Sequence, residues 1–280
     1  MRKATDKCLL CEVNDATKKN SHILPRFIST NFLGPKGGKR QGFSLNSETP
    51  VSISESGEVI SNPKKVQDSP KEDYILCDGC ESYFSILETD SAPLYNQWIE
   101  KVNKGEYRIE QLHNDLSIVE CITANKPLNR LFVYSMFWRV SISSHPLFNH
   151  YKLNSNLENS IKSILLKYKT IKKGDLVSKV TQHPVHIHPY SVFTAKSFKD
   201  ETGNILMAYI PENPATLHVD RFAFLLFNSI SDLKNKINFD FSNKYDGDLM
   251  LVVISENMWQ EVFVKTPLYK LAEQVRNKIK

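Results

Sequence analysis

No stretch of this 280-residue chain approaches the ~20 consecutive apolar residues that a membrane span needs. The opening Met1-Arg2-Lys3-Ala4-Thr5-Asp6-Lys7 leads into no secretory hydrophobic region. Repeats at solenoid spacing are missing. Charge of one sign is not in excess either: 36 basic against 31 acidic residues leave a net +5, which permits a polyanion partner without requiring one. Cysteine is scarce, with 5 in the whole chain. These absences exclude a membrane partner and point to a cytoplasmic protein. Hydrophobic content of 41% and charged content of 24% are those of an ordinary globular chain able to bury a core.

What cysteine there is falls into a pattern. Cys8-Leu-Leu-Cys11 and Cys77-Asp-Gly-Cys80 are two C-x-x-C pairs, and two thiolates from one tight turn can reach one tetrahedral Zn²⁺ at about 2.3 Å. The alternatives are two disulfides or a redox dithiol, but a thioredoxin-like motif needs one pair inside a βαβ pattern, which neither pair has. Structural zinc on Cys8, Cys11, Cys77 and Cys80 is the reading these spacings favour. The separation of the pairs far exceeds the about 15–20 residues of the simplest four-cysteine modules, so the second pair closes a loop with structure of its own. A knuckle at the front and a second pair opening a helix is the plan of a treble clef. The fifth cysteine, Cys121, reads as a small apolar core residue.

Elsewhere the pattern predicts a mixed α+β chain in three parts, with an N-terminal zinc-finger module over 1–104, a helical region over 105–172 and a β-rich region over 173–280. Residues 34–70 read as an inserted loop with a basic start, Gly34-Pro35-Lys36-Gly37-Gly38-Lys39-Arg40, and at most a small hairpin. Tyr83, Phe84 and Leu87, then Leu94, Trp98 and Val102, predict two helices interrupted at Ala92-Pro93. Leu128–Ser143 is apolar nearly all round, a buried central helix in which Arg139 must be paired or reach the surface. A further helix is expected at 157–169. Strands are expected at 185–198, 205–210, 217–227 and 249–254, with a closing helix from Pro267 to Ile279.

The chemistry-bearing residues lie between the zinc pairs. The order C-x-x-C, then Ser21-His22-Ile23-Leu24-Pro25, then Ile75-Leu76-Cys77-x-x-Cys80-Glu81 resembles the zinc-stapled HNH, or His-Me finger, endonucleases over about residues 8–90. That resemblance implies a ββα-metal treble-clef fold and a nucleic-acid phosphodiester substrate, DNA ahead of RNA, with His22 as general base and a catalytic Mg²⁺ or Mn²⁺. A neutral imidazole takes a proton from water near neutral pH, and a divalent ion neutralises the scissile phosphate. Two positions depart from the family's pattern. Ser21 stands where a metal ligand precedes the base, and Glu81 stands where Asn or His follows the last cysteine. A carboxylate suits a hard cation, so Glu81, with Glu88 along the helix, can take the ligand's place. Glu81 is equally apt as a helix-start acid.

The resemblance also implies a defence or restriction setting, with the rest of the chain supplying target choice, a protein partner or homo-oligomerisation. Against it stands a non-catalytic zinc-finger adaptor with a degenerate site, and a third reading makes the C-terminal region a ligand sensor. His183, His186 and His188 form a second cluster, the last two placed on one strand face where they could share a metal. Tyr134, Trp138 and Arg139 read as core in preference to a base-stacking surface.

Overall fold

The computed structural model describes residues 2–28, 70–149, 151–183, 185, 188–197, 213–244 and 248–265, and the short strands 42–44, 52–53, 59–60, 64–66 and 205–209. The architecture is α+β. The chain opens with a knuckle around Cys8 and Cys11, followed by β1 (Ser21–His22), β2 (Gly42–Ser44), β3 (Ser52–Ile53), β4 (Val59–Ile60), β5 (Lys64–Val66) and β6 (Lys71–Glu72). β1 pairs with β6 antiparallel, and β2–β5 and β3–β4 form two more small ribbons. The basic stretch 34–40 and the closing helix expected from Pro267 lie outside the described residues.

Helix α1 (Asp78–Asn103) starts at the second cysteine pair and continues through Pro93. The two helices expected here are one. A proline inside a helix forfeits a hydrogen bond, but the apolar stripe of Phe84, Leu87, Ser91, Leu94, Tyr95 and Trp98 stays in register across it, and all six are buried. A buried polar knot fastens the same stretch, since Asn129 Oδ1 accepts from Tyr95 (3.2 Å) and Tyr190 (3.0 Å) while Ser91 accepts from its amide (3.4 Å).

After α1 comes a hairpin, β7 (Arg108–His113) and β8 (Leu116–Cys121), then α2 (Lys126–Ile142), α3 (Ser155–Tyr168) and α4 (Lys173–Gln182). The side chain of Asn125 caps α2 by accepting from Leu128 N, and Asn154 caps α3 by accepting from Leu157 N. α2 is the buried central helix that its composition required. β9 (Tyr190–Ala195), β10 (Ile205–Tyr209), β11 (Ala215–Asp220), β12 (Phe222–Leu226), α5 (Lys236–Phe241), β13 (Leu249–Ile254) and α6 (Glu256–Trp259) follow, with a π-helical turn over Gln260–Lys265.

One seven-stranded sheet runs β10-β11-β12-β9-β13-β8-β7, antiparallel throughout except for the parallel pair β9–β13. Its two faces separate by alternation. Val119, Cys121, Val192, Leu217, Phe224, Leu251 and Val253 join α1–α4 in the main core, while Ile118, Phe193, Ala223, Val252 and Ile254 meet Trp259 and Phe263 on the other side. The hairpin β7–β8 belongs to the stretch read as helical, so the sheet draws strands from both sides of the expected boundary near residue 172. The strand expected over 217–227 is two, turning at Asp220, which takes a left-handed φ of 56° that Asp tolerates in a two-residue hairpin turn.

Candidate metal centre and the His22 cluster

The two knuckles are sewn together by the backbone. Leu9 N donates to Ile75 O (2.9 Å), Lys18 N to Leu76 O (3.2 Å) and Tyr74 N to Lys18 O (2.7 Å). Cys77 is the N-cap of α1 and Cys80 lies in its first turn. The outcome is a cage: the four sulfurs of Cys8, Cys11, Cys77 and Cys80 all lie within 4.8 Å of one another, and Cys8, Cys77 and Cys80 are buried. All four are free thiols.

The donor set fits Zn²⁺. Four ligands tetrahedral about an ion at about 2.3 Å stand about 3.8 Å apart, and the Sγ atoms of Cys11 and Cys77 are 3.8 Å apart. A disulfide would need about 2.05 Å. Crowding already shows in the acid–base balance, because the hydrogen bond they share draws the Cys8 thiol down and drives the Cys80 thiol up. Two cations attend the cage from α3. Lys162 bonds Glu12, just past Cys11, at 2.5 Å. At Lys169 burial opposes the charge, but the sulfurs of Cys80, Cys11 and Cys77 outweigh it and raise its pKa. Asn14 Nδ2 adds a contact of 3.8 Å to Cys77 Sγ.

His22 sits at the end of β1, with its ring half-buried. The ribbon it belongs to is gripped by the central helix on both strands. On β6, Glu72 accepts from Ser143 Oγ (2.8 Å) and Ser144 N (3.1 Å). On β1, the guanidinium of Arg139 donates from Nη1 to the carbonyl of His22 (2.9 Å) and to Glu88 Oε1 (2.7 Å). Arg139 is 2% exposed, satisfies the pairing its burial demands, and also lies over the Phe84 ring at 5.1 Å.

Ser21 and Glu81, the two departures noted in the sequence, are brought together. Ser21 is buried, and its Oγ donates to Glu81 Oε2 at 3.0 Å. Burial raises the pKa of the Glu81 carboxyl, against the opposing influence of Arg139 and of the Ser21 hydrogen bond. A catalytic Mg²⁺ or Mn²⁺ fits these residues poorly. One carboxylate is engaged by Ser21, the other by Arg139, and a fixed positive charge already stands between helix and strand. Among the described residues, the four cysteines form the one group of three or more acidic, thiol or imidazole ligands near enough to share an ion. Sequence reasoning set Glu88 one or two turns along the helix from Glu81 but missed that Arg139 is the cation paired with Glu88. The signal was present, since a buried arginine on α2 needed an acid of its own.

Among the described residues, His183 and His188 of the second histidine cluster join no group of ligands near enough to share an ion. His188 precedes the strand instead of lying on it, because Pro189 follows and β9 begins at Tyr190. Both its ring nitrogens have protein partners: Nδ1 donates to Asn228 O at 2.7 Å, which leaves Nε2 to accept from Ser160 Oγ at 2.8 Å. Burial lowers its pKa, in keeping with a neutral strut. His183 caps the end of α4, and His186 lies outside the described residues. Tyr134, Trp138 and Cys121 are buried core.

Beside Glu88 lies an open groove of about 510 Å³ along α1, whose polar wall includes Arg26, Ser85, Thr89, Asn96 and Gln97. No helix among the described residues is long and apolar enough to cross a membrane. No family model matches the chain, and neither a curated protein nor a solved structure matches it.

Proposed function

We propose that residues 8–103 form an HNH-like finger of treble-clef plan, stapled by Zn²⁺ on Cys8, Cys11, Cys77 and Cys80, that cleaves nucleic-acid phosphodiesters with His22 as general base. One observation carries this reading. An antiparallel strand pair leads into a helix, and residue 21 of the strand meets residue 81 of the helix at 3.0 Å beside His22. That is the arrangement the resemblance implies for a phosphodiesterase site. Zinc supplies no chemistry here beyond holding the two knuckles. His22 takes the proton of a water, whose oxygen forms the new bond to phosphorus as the leaving oxygen departs and is protonated. The groove along α1, with Arg26, Asn96 and Gln97 on its wall, offers donors to a phosphodiester strand. The sheet and remaining helices would serve target choice or association, in a defence or restriction setting.

A second reading is favoured by a specific observation. The Ser21–Glu81 and Arg139–Glu88 contacts close the polar groups around His22 upon one another, as a zinc-finger adaptor without cutting chemistry would. Cleavage assays separate the two. Zinc-loaded protein freed of contaminating nucleases should nick plasmid DNA, or RNA, with or without added Mg²⁺ or Mn²⁺. His22→Ala should abolish nicking while zinc content and melting temperature persist. Intact substrates under every ion would leave the adaptor.

A further inference from the structure

We infer that Arg139 is the resident cation of the His22 site: its guanidinium stands where a metal-dependent phosphodiesterase would hold a divalent ion, and the folded protein takes up no such ion there. The inference goes beyond the cleavage reading, which stands or falls on nicking, because it concerns what the site binds whether or not it cuts.

Three observations carry it. Glu81 and Glu88 are seven residues apart on α1, two helical turns along one face, so their carboxylates make the acidic surface that would attract a hard cation. Arg139 reaches that surface from α2 and is fixed on several sides. It donates to Glu88 Oε1 (2.7 Å), to the His22 carbonyl (2.9 Å) and to the Ser135 carbonyl (3.2 Å), with the Phe84 ring against it. At 2% exposure it has no route to swing into solvent and make way. The remaining carboxylate, Glu81, is held by the buried Ser21 hydroxyl. A divalent ion entering here would meet an immobile like charge at short range, while displacing the guanidinium would leave that charge buried and unpaired. Because the same Nη1 holds the carbonyl of His22 itself, Arg139 also fixes the strand from which the imidazole projects, and is a positioning residue for it.

The test is a Mn²⁺ titration of the zinc-loaded full chain, read by loss of the free-ion paramagnetic resonance signal. Wild type is expected to take up no more Mn²⁺ than Glu81→Gln does. Arg139→Gln, which keeps hydrogen-bond donors but removes the charge, is expected to gain a site at least about tenfold tighter than wild type, and to lose it when combined with Glu81→Gln. Arg139→Lys should stay like wild type, since it restores the charge. Stoichiometric Mn²⁺ uptake by wild type that Glu81→Gln removes would overturn the inference. So would a folded Arg139→Gln variant that binds Mn²⁺ no better than wild type. Should Arg139→Gln fail to fold, the comparison of wild type with Glu81→Gln decides alone. Nicking lost in His22→Ala would uphold the cleavage reading under either Mn²⁺ result.

Discussion

The cysteine cage and the His22 cluster share one helix, α1, and treat buried charge in opposite ways. At the cage, four thiols crowd within 4.8 Å, Lys169 lies close enough to feel their sulfurs, and Lys162 pairs with Glu12 just past Cys11. The four sulfurs stand close enough to hold a metal ion such as zinc. On the same helix, Glu81 next to Cys80 and Glu88 two turns further on have a hydroxyl and a guanidinium supplied by the chain. The difference teaches that acidic residues on a helix face do not by themselves announce a metal. What decides is whether the fold delivers its own counter-charge.

The largest effect expected from breaking this contrast is at the cage. Cys80→Ser should abolish zinc retention and unfold the finger, because structural zinc in small fingers contributes about 10–16 kcal/mol of binding free energy at neutral pH. Metal content and the loss of a cooperative melting transition read this out, and a strong chelator should act on wild type in the same way. Next comes the protein-supplied pair. Arg139→Met should cost about 3–5 kcal/mol by stranding Glu88, measured by urea denaturation, and adding Glu88→Gln should recover part of that loss.

A third way of handling buried charge sharpens the comparison, namely to have none. His218 is 3% exposed, its Nε2 has no partner, and its ring stacks on Trp259 at 5.5 Å, so burial holds its pKa down to about 3. His188 is shifted in the same direction by burial. For a histidine lowered on folding, the unfolded chain binds protons first. Stability is therefore full above the ordinary value of about 6.5 and falls as pH drops toward the folded value, by up to about 1.4 kcal/mol per pH unit for each such group. Equilibrium unfolding between neutral and mildly acid pH should show that slope, and His218→Leu should flatten it. The smallest effect belongs to the exposed end of the Lys162–Glu12 pair. Glu12→Ala should cost no more than about 1 kcal/mol, and less at high salt.

Much of this was legible in the chain. The spacing of the cysteines foretold the cage, because two C-x-x-C pairs have few other uses. The all-round apolar run of α2 foretold a buried helix and required Arg139 to find a partner. Local patterns misled where distant packing prevails. Pro93 breaks a helix in isolation, yet Leu94, Tyr95 and Trp98 continue the buried stripe beyond it. The hairpin β7–β8 has the Asn114-Asp115 turn of a ribbon, but its first strand, Arg108–His113, does not alternate and every residue of it is exposed, so it has no apolar face to give it away. His188 looked like a strand ligand because sequence neighbours were weighed. Its partners, Ser160 and Asn228, come from helix α3 and from beyond β12. The pairing of Ser21 with Glu81 was open to guesswork only through the family resemblance, since residues so far apart meet through the β1–β6 ribbon.

That ribbon has a consequence for how the chain can vary. His22 faces Lys71 across it, and Cys11 faces Cys77 across the cage, so both ends of the long intervening stretch are pinned independently of what lies between them. Substitutions beside the clasp are held in check as well, because Ile23, Leu24 and Ile28, which follow β1, are buried in the main core.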